Sequence, residues 1–292
     1  MYLINSYRFG GGAAPSHIFL ADNYSLTTIF SLYKESTTAT NCIRVRRSSD
    51  NAEQDIGFVD NDLDTASLLS FIGVNDGRIV KWYNQGSNGA TDDLIQSTGS
   101  LQPYIVLGGV LYEDLSLKPT INFTNNSLNA NLGYFNNKSF GASIVVLQNN
   151  TTSSRRDLFS FRTIGVTSRF FSTFNFGTIN RTSINTRRLD SDSATLLFTS
   201  SNYTAGDMIR TDIIDWANSD AFIRENGTQV ATSTSHGSAG STSATNSSAA
   251  GLGNIESVTS VDRISLWIIS NTDIATDIPN IETDINNRYA IY

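Results

Sequence analysis

From Arg78 to Ser270 the chain repeats one device: short runs of alternating or unbroken apolar residues, each closed by Gly, Asn, Asp, Ser or Pro. RIVKWY (78–83), PYIVLGGVLYED (103–114), PTINF (119–123), ASIVVLQ (142–148) and DLFSFRT (157–163) come first. RFFSTFNF (169–176), ATLLFTS (194–200), MIRTDIIDW (208–216), AFIRENGTQVAT (221–232) and DRISLWIIS (262–270) follow. Runs of this length with period-2 alternation read as strands, and strands at this spacing read as a sandwich. Asn226-Gly227 between two alternating runs is a hairpin signal, because a tight primed turn needs positive φ at both central residues.

Helical patterns are few. Leu26, Ile29, Phe30 and Tyr33 share a face at i, i+3, i+4, i+7, which predicts a helix over 24–35. Residues 62–71 predict a second, opened by acidic residues and closed by Gly73. Ile278, Ile281, Ile285 and Tyr289 place a third near 279–289, docked on the sandwich. Residues 1–21 carry Gly10, Gly11 and Gly12 and no periodicity, and read as an extended arm before a sandwich domain at 22–292. TSTSHGSAGSTSATNSSAA (232–250) reads as a flexible low-complexity loop. Buried positions are expected at Ile43, Val45, Val80, Trp82, Ile121, Phe123, Ile144, Val146, Ile264, Leu266 and Ile268.

Composition excludes several classes. The net charge is -7, with 20 basic against 27 acidic residues, so no basic stripe for nucleic acid is expected. No apolar run approaches a membrane span, the N-terminus lacks a signal-peptide core, and the single cysteine, Cys42, forbids an internal disulfide. DNDLD (60–64) has the opening spacing of a calcium loop, but Thr65 and Phe71 stand where glycine and glutamate belong, so the acids read as a helix cap and no metal or cofactor is expected. His17 and His236 fall in the arm and the polar loop, leaving no placed base for nucleophilic catalysis. Phe170, Phe171, Phe174 and Phe176 fit a core strand better than a stacking platform. Arg44 and Arg46 share one strand face and Arg47 the other, with Asp50, Glu53 and Asp55 close by, so ion pairing within the chain accounts for them.

IRVRRSSDNAEQDIGF (43–58), DLDTASLLSF (62–71), IVKWYNQGSNGATDDLIQ (79–96), QPYIV (102–106) and KPTINF (118–123) follow one another in a familiar order. Together they resemble the concanavalin A-like sandwich of arabinofuranosidase B-type catalytic domains, a module also found in phage tail and structural proteins. FIRENGTQVAT and IETDINNRYAIY resemble the late hairpin and terminal helix of laminin-G-like sandwiches. The resemblance implies an all-β, two-sheet antiparallel jelly roll with short peripheral helices. The hydrolases' nucleophile segment, with adjacent cysteines and clustered acids, has no counterpart, and their WYDQSGNG-like turn reads Trp82-Tyr83-Asn84-Gln85-Gly86-Ser87-Asn88-Gly89.

The function expected on this basis is a non-catalytic phage virion component, in a tail or fibre, that contacts host glycans; the alternative is an arabinofuranosidase-type glycoside hydrolase. In a strand Tyr83 and Trp82 point to opposite faces. Tyr83, with Asn84 and Gln85 in the next turn, is therefore the expected glycan contact, while Trp216 and Trp267 belong in the core. The arm is expected to order against other virion proteins or further copies of the chain.

Overall fold

The computed structural model describes residues 17–130, 133–149, 155–163, 168–175, 180–244, 247–253 and 263–292. The chain is all-β, and every strand pairing among the described residues is antiparallel. Strands β1 (Thr28–Ser31), β2 (Asn41–Arg47), β3 (Glu53–Val59) and β4 (Asp62–Leu63) lead into helix α2 (Thr65–Ile72) after a short first helix, α1 (Leu20–Asn23). Then come β5 (Gly77–Trp82), β6 (Leu94–Ile95), β7 (Tyr104–Leu107), β8 (Val110–Leu111), β9 (Ile121–Asn122), β10 (Ser127–Asn129), β11 (Phe140–Asn149), β12 (Arg156–Thr163) and β13 (Ser168–Phe174). The last elements are β14 (Thr182–Thr186), β15 (Thr195–Phe198), β16 (Gly206–Asp215), β17 (Asp220–Glu225), β18 (Thr228–Ser233), β19 (Ser247–Gly253), β20 (Arg263–Ser270) and α3 (Ile278–Tyr289).

From β5 the hydrogen-bonded network divides into two arms. One runs through β6, β10, β19, β12, β13 and β14 to β15. The other runs through β7, β9, β20, β11, β16 and β17 to β18. The ends approach again where β15 comes alongside β18, so the whole is nearly barrel-shaped. The arms enclose the main core, in which Trp82, Phe135, Phe159, Phe161, Phe170, Trp216 and Trp267 meet. Ring pairs there are mostly edge-on or tilted, the arrangement that the aromatic quadrupole favours.

A second core lies on the far face of β20, β11 and β16, under α1 and α3. Ala142, Ile144 and Val146 face it, while Val145 and Leu147 face the main core. All of β11 is buried, which explains why its sequence is apolar without alternation. α3 carries Pro279 in its first turn and lays Ile278, Ile281, Ile285 and Tyr289 into this core, as the spacing predicts. α2 is capped by Asp64, whose carboxylate accepts from Ser67 N at 2.9 Å, and ends at Gly73 with φ 61°.

Several expectations change. Residues 24–35 are no helix: Thr28–Ser31 is a strand paired with Leu266–Ile269 and buried at all four positions. Its i, i+3, i+4 apolar spacing arises because both faces of the strand meet a core. Val80 is only half-buried, because a bulge between Arg44 and Val45 opposite Lys81 and Ile79 puts Val80 out of phase; the other ten expected core positions are buried. Segment 232–250 is not one loop, since it contains buried His236 and Thr242 and runs into β19. The arm falls largely outside the described residues; Leu20 and Ala21, at its end, are buried in α1. Phe176 also lies outside them, whereas Phe170, Phe171 and Phe174 are buried.

Candidate functional site

The expected glycan residues divide. Tyr83 is half-exposed on the outer face of β5, its hydroxyl donating to Asp55 at 2.7 Å. Lys81 lies over its ring, and Asp55 is held in turn by Arg44 at 2.7 Å. Asn84 and Gln85 turn inward. Asn84 Oδ1 accepts from Ile29 N and Gly86 N, and its amide donates to Thr27 and Gly89 carbonyls. Gln85 accepts from Glu35 N and donates to the Ser31 and Tyr33 carbonyls. Both amides therefore staple the 84–89 turn to β1 through bonds inside the chain, and Tyr83 is the one of the three whose ring lies on the outer surface. Arg44 and Arg47 pair with Asp55 and Asp50, while Arg46 bonds the amides of Gln102 and Asn51.

Charged side chains instead gather inside the main core. Period-2 alternation along β16 turns Met208, Arg210, Asp212 and Ile214 inward and Ile209 and Ile213 toward α3. Arg210 is opposite Glu225 in the β16–β17 pair. Its guanidinium holds two carboxylates at once: Nε reaches Asp212 Oδ1 and Nη1 reaches Glu225 Oε1, both at 2.7 Å. The facing arm contributes Thr182 of β14, which donates to Glu225 at 2.8 Å and accepts from Arg210, and Ser172 of β13, which bonds Asp212. Toward the same end, Arg156 donates to Asn149 at 2.7 Å and to Tyr203 at 3.0 Å. Tyr203 passes a hydrogen bond on to Asn175 at 3.1 Å.

The two acids differ. Asp212 is fully buried, and desolvation pushes its pKa above the usual carboxylate range despite the Arg210 charge; Glu225 nearby adds to the rise. Asp212 Oδ2 and Arg210 Nη2 have no hydrogen-bond partner among the described residues. Glu225 keeps 15% of its side chain exposed, so the cluster reaches solvent through it. One guanidinium thus joins a desolvated carboxyl to a second, more open acid, two carboxyls whose surroundings differ. Of the other buried acids, Glu35 pairs with Arg288 of α3, Glu282 of α3 with Arg224, Asp93 with Lys81 and Asp157 with Arg155.

Two signals for this cluster stood in the sequence. MIRTDIIDW places Arg and Asp at i, i+2 on one strand face, and Glu225 directly precedes the Asn226-Gly227 turn. That the face points inward is decided by α3, which occupies the other.

No family model matches the sequence, and no curated protein matches it. Solved structures do. A GH54 α-L-arabinofuranosidase soaked with a cyclic sulfate inhibitor matches at TM-score 0.62 and 12% identity, over 94% of this chain and 66% of that one. An arabinofuranosidase complexed with arabinofuranosyl-α-1,2-xylobiose matches at TM-score 0.58 and 13% identity, with the same coverage. Trypanosoma rangeli sialidase matches at TM-score 0.47 and 9% identity over 72% of this chain. The chain thus spans about two thirds of the arabinofuranosidases' length and has a glycosidase-like β-sandwich fold. The expectation of a non-catalytic protein is corrected here, since the fold shared along nearly the whole chain is an enzyme's. Neither arabinofuranosidase match speaks for a virion component.

Proposed function

We propose that this chain is a glycoside hydrolase acting on furanosidic or related sugar linkages, with Asp212 and Glu225 as its carboxyl pair. Its two strand arms are read as the layers of a concanavalin A-like jelly roll. One observation carries the proposal: Arg210 binds both acids at 2.7 Å inside a sandwich whose fold is that of arabinofuranosidases. Burial favours the protonated form of Asp212, and exposure makes Glu225 the carboxylate that meets substrate. The missing adjacent cysteines mean that the acids are supplied differently here than in the family that the sequence resembles.

The test is release of 4-nitrophenol from 4-nitrophenyl α-L-arabinofuranoside and a panel of other aryl glycosides. Wild type is expected to turn over at least one, and Glu225→Gln to lower kcat by about a hundredfold or more with an unchanged circular dichroism spectrum. No turnover across the panel, or turnover unaffected in Glu225→Gln, overturns the assignment.

A further inference from the structure

The β7–β8 hairpin turns at Gly108 and Gly109, both at positive φ, and such a turn asks nothing apolar of its flanks. Yet Leu107 and Val110 stand on either side of it, and Val110 is 70% exposed. Leu117 is 75% exposed, in a turn that Asp114 closes by accepting from Ser116 N and Lys118 N at 2.9 Å. Leu107, Val110, Leu111 and Leu117 line one cleft of about 390 Å³, together with the acids Glu113 and Asp114. Arg263 also lines it, but its guanidinium donates to the Glu113 carbonyl and lies over the Tyr112 ring. Exposed Val74, whose Cα lies against Gly109, extends the surface. Single exposed apolar side chains are ordinary, but several in one cleft mark a surface that something covers.

The described chain starts beside this cleft. His17 Nε2 bonds the Lys34 carbonyl, and the Ile18 carbonyl accepts from Arg288 Nη2, both at 2.7 Å. The Arg288 carbonyl in turn accepts from Lys118 Nζ, and Lys118 directly follows Leu117. One arginine thus bridges the start of the described chain and the turn that lines the cleft. Residues 1–16 lie outside the described residues, and their sequence has two parts. MYLINSYRF (1–9) carries Tyr2, Leu3, Ile4, Tyr7 and Phe9, whereas GGGAAPS (10–16) has no large side chain. The Cα steps from Phe9 to His17 reach up to about 27 Å when extended, well beyond the span of one arginine side chain.

We propose that residues 1–9 dock on this surface of their own chain, with Tyr7 and Phe9 over Leu107, Val110 and Leu117 and with Arg8 paired to Glu113. The charges are complementary: Arg8 is the only charged side chain in residues 1–16, and the cleft offers two carboxylates. Tethering favours the chain's own segment over that of a second copy, because a short linker holds it at an effective concentration on the order of millimolar. The proposal is independent of the hydrolase reading, since it concerns a separate surface and is measured without turnover.

Photocrosslinking of the full chain with p-benzoylphenylalanine in place of Phe9 tests it. Irradiation is expected to join position 9 to peptides within 107–117, in a monomer-sized product whose yield is unchanged on dilution. Arg8→Glu and Leu117→Asp should each lower that yield about threefold or more. If the Leu117→Asp protein does not fold, Arg8→Glu, which leaves the sandwich untouched, decides. A product of dimer size only would assign the surface to a second copy, and no product from the purified chain would leave it to a foreign partner. Either result, attachment elsewhere on the sandwich, or a yield unchanged by Arg8→Glu overturns the proposal.

Discussion

Arg224 of β17 and Glu282 of α3 meet fork to fork: Nε lies 3.0 Å from both carboxylate oxygens, and Nη2 is 2.8 Å from Oε2. Glu282 also accepts from Thr211 at 2.7 Å. The acid is buried while Arg224 is 18% exposed on its side chain, so the pair fixes where the helix lands on the sheet. Glu282→Ala leaves the guanidinium without its partner at the edge of the core and is expected to cost about 3 kcal/mol in urea unfolding. Glu282→Met combined with Arg224→Met should recover most of that loss. A single substitution without effect would mean that α3 is held by its apolar face alone.

Gly251 joins β10 to β19 at φ +149°, and a Cβ there would stand 2.0 Å from the Leu128 carbonyl oxygen. The contact is with backbone, which cannot swing aside. Gly251→Ala is expected to separate β10 from β19 or prevent folding, read as loss of amide-exchange protection at Leu128 and Leu252. A variant with wild-type protection at both would show that this strand pair tolerates a side chain.

His236 makes stability depend on pH. Its pKa is near 4 in the fold and returns to about 6.5 on unfolding, so between these values the unfolded chain binds the extra proton. Stability therefore falls as pH drops from 6.5 toward 4, by roughly 3 kcal/mol in all. His236→Gln has no such proton to take up. The difference in unfolding free energy between wild type and this variant, measured at pH 7 and pH 4, should shrink by that amount; a constant difference would place the ring in contact with water.

Tyr83 stands as a proposed glycan contact on the outer face of β5. Tyr83→Ala is expected to weaken retention on insoluble arabinoxylan while moving the melting temperature by only a few degrees, since a half-exposed side chain contributes little to stability. Full retention with a large fall in melting temperature would assign the ring to holding Asp55 and Lys81.

Period-2 alternation and turn chemistry made the strands legible, along with the Asn226-Gly227 hairpin, the Asp64 cap and the apolar stripe of α3. These are local properties: a strand's faces and a turn's φ values follow from neighbours in the chain. The inward Trp82 and the outward Tyr83 were legible for the same reason. Residues 24–35 were not, because a strand buried on both faces carries no alternation, and only β20 on one edge and α3 above it turn Thr28–Ser31 into sheet. Nor could Asn84 and Gln85 be read as staples before β1 lay beside their turn. The sequence alone determined that this chain is β and where most strands run. Tertiary structure decided which charges meet, since Asp212, Glu225 and Thr182 come from three strands and share Arg210 only when the two arms close around the core.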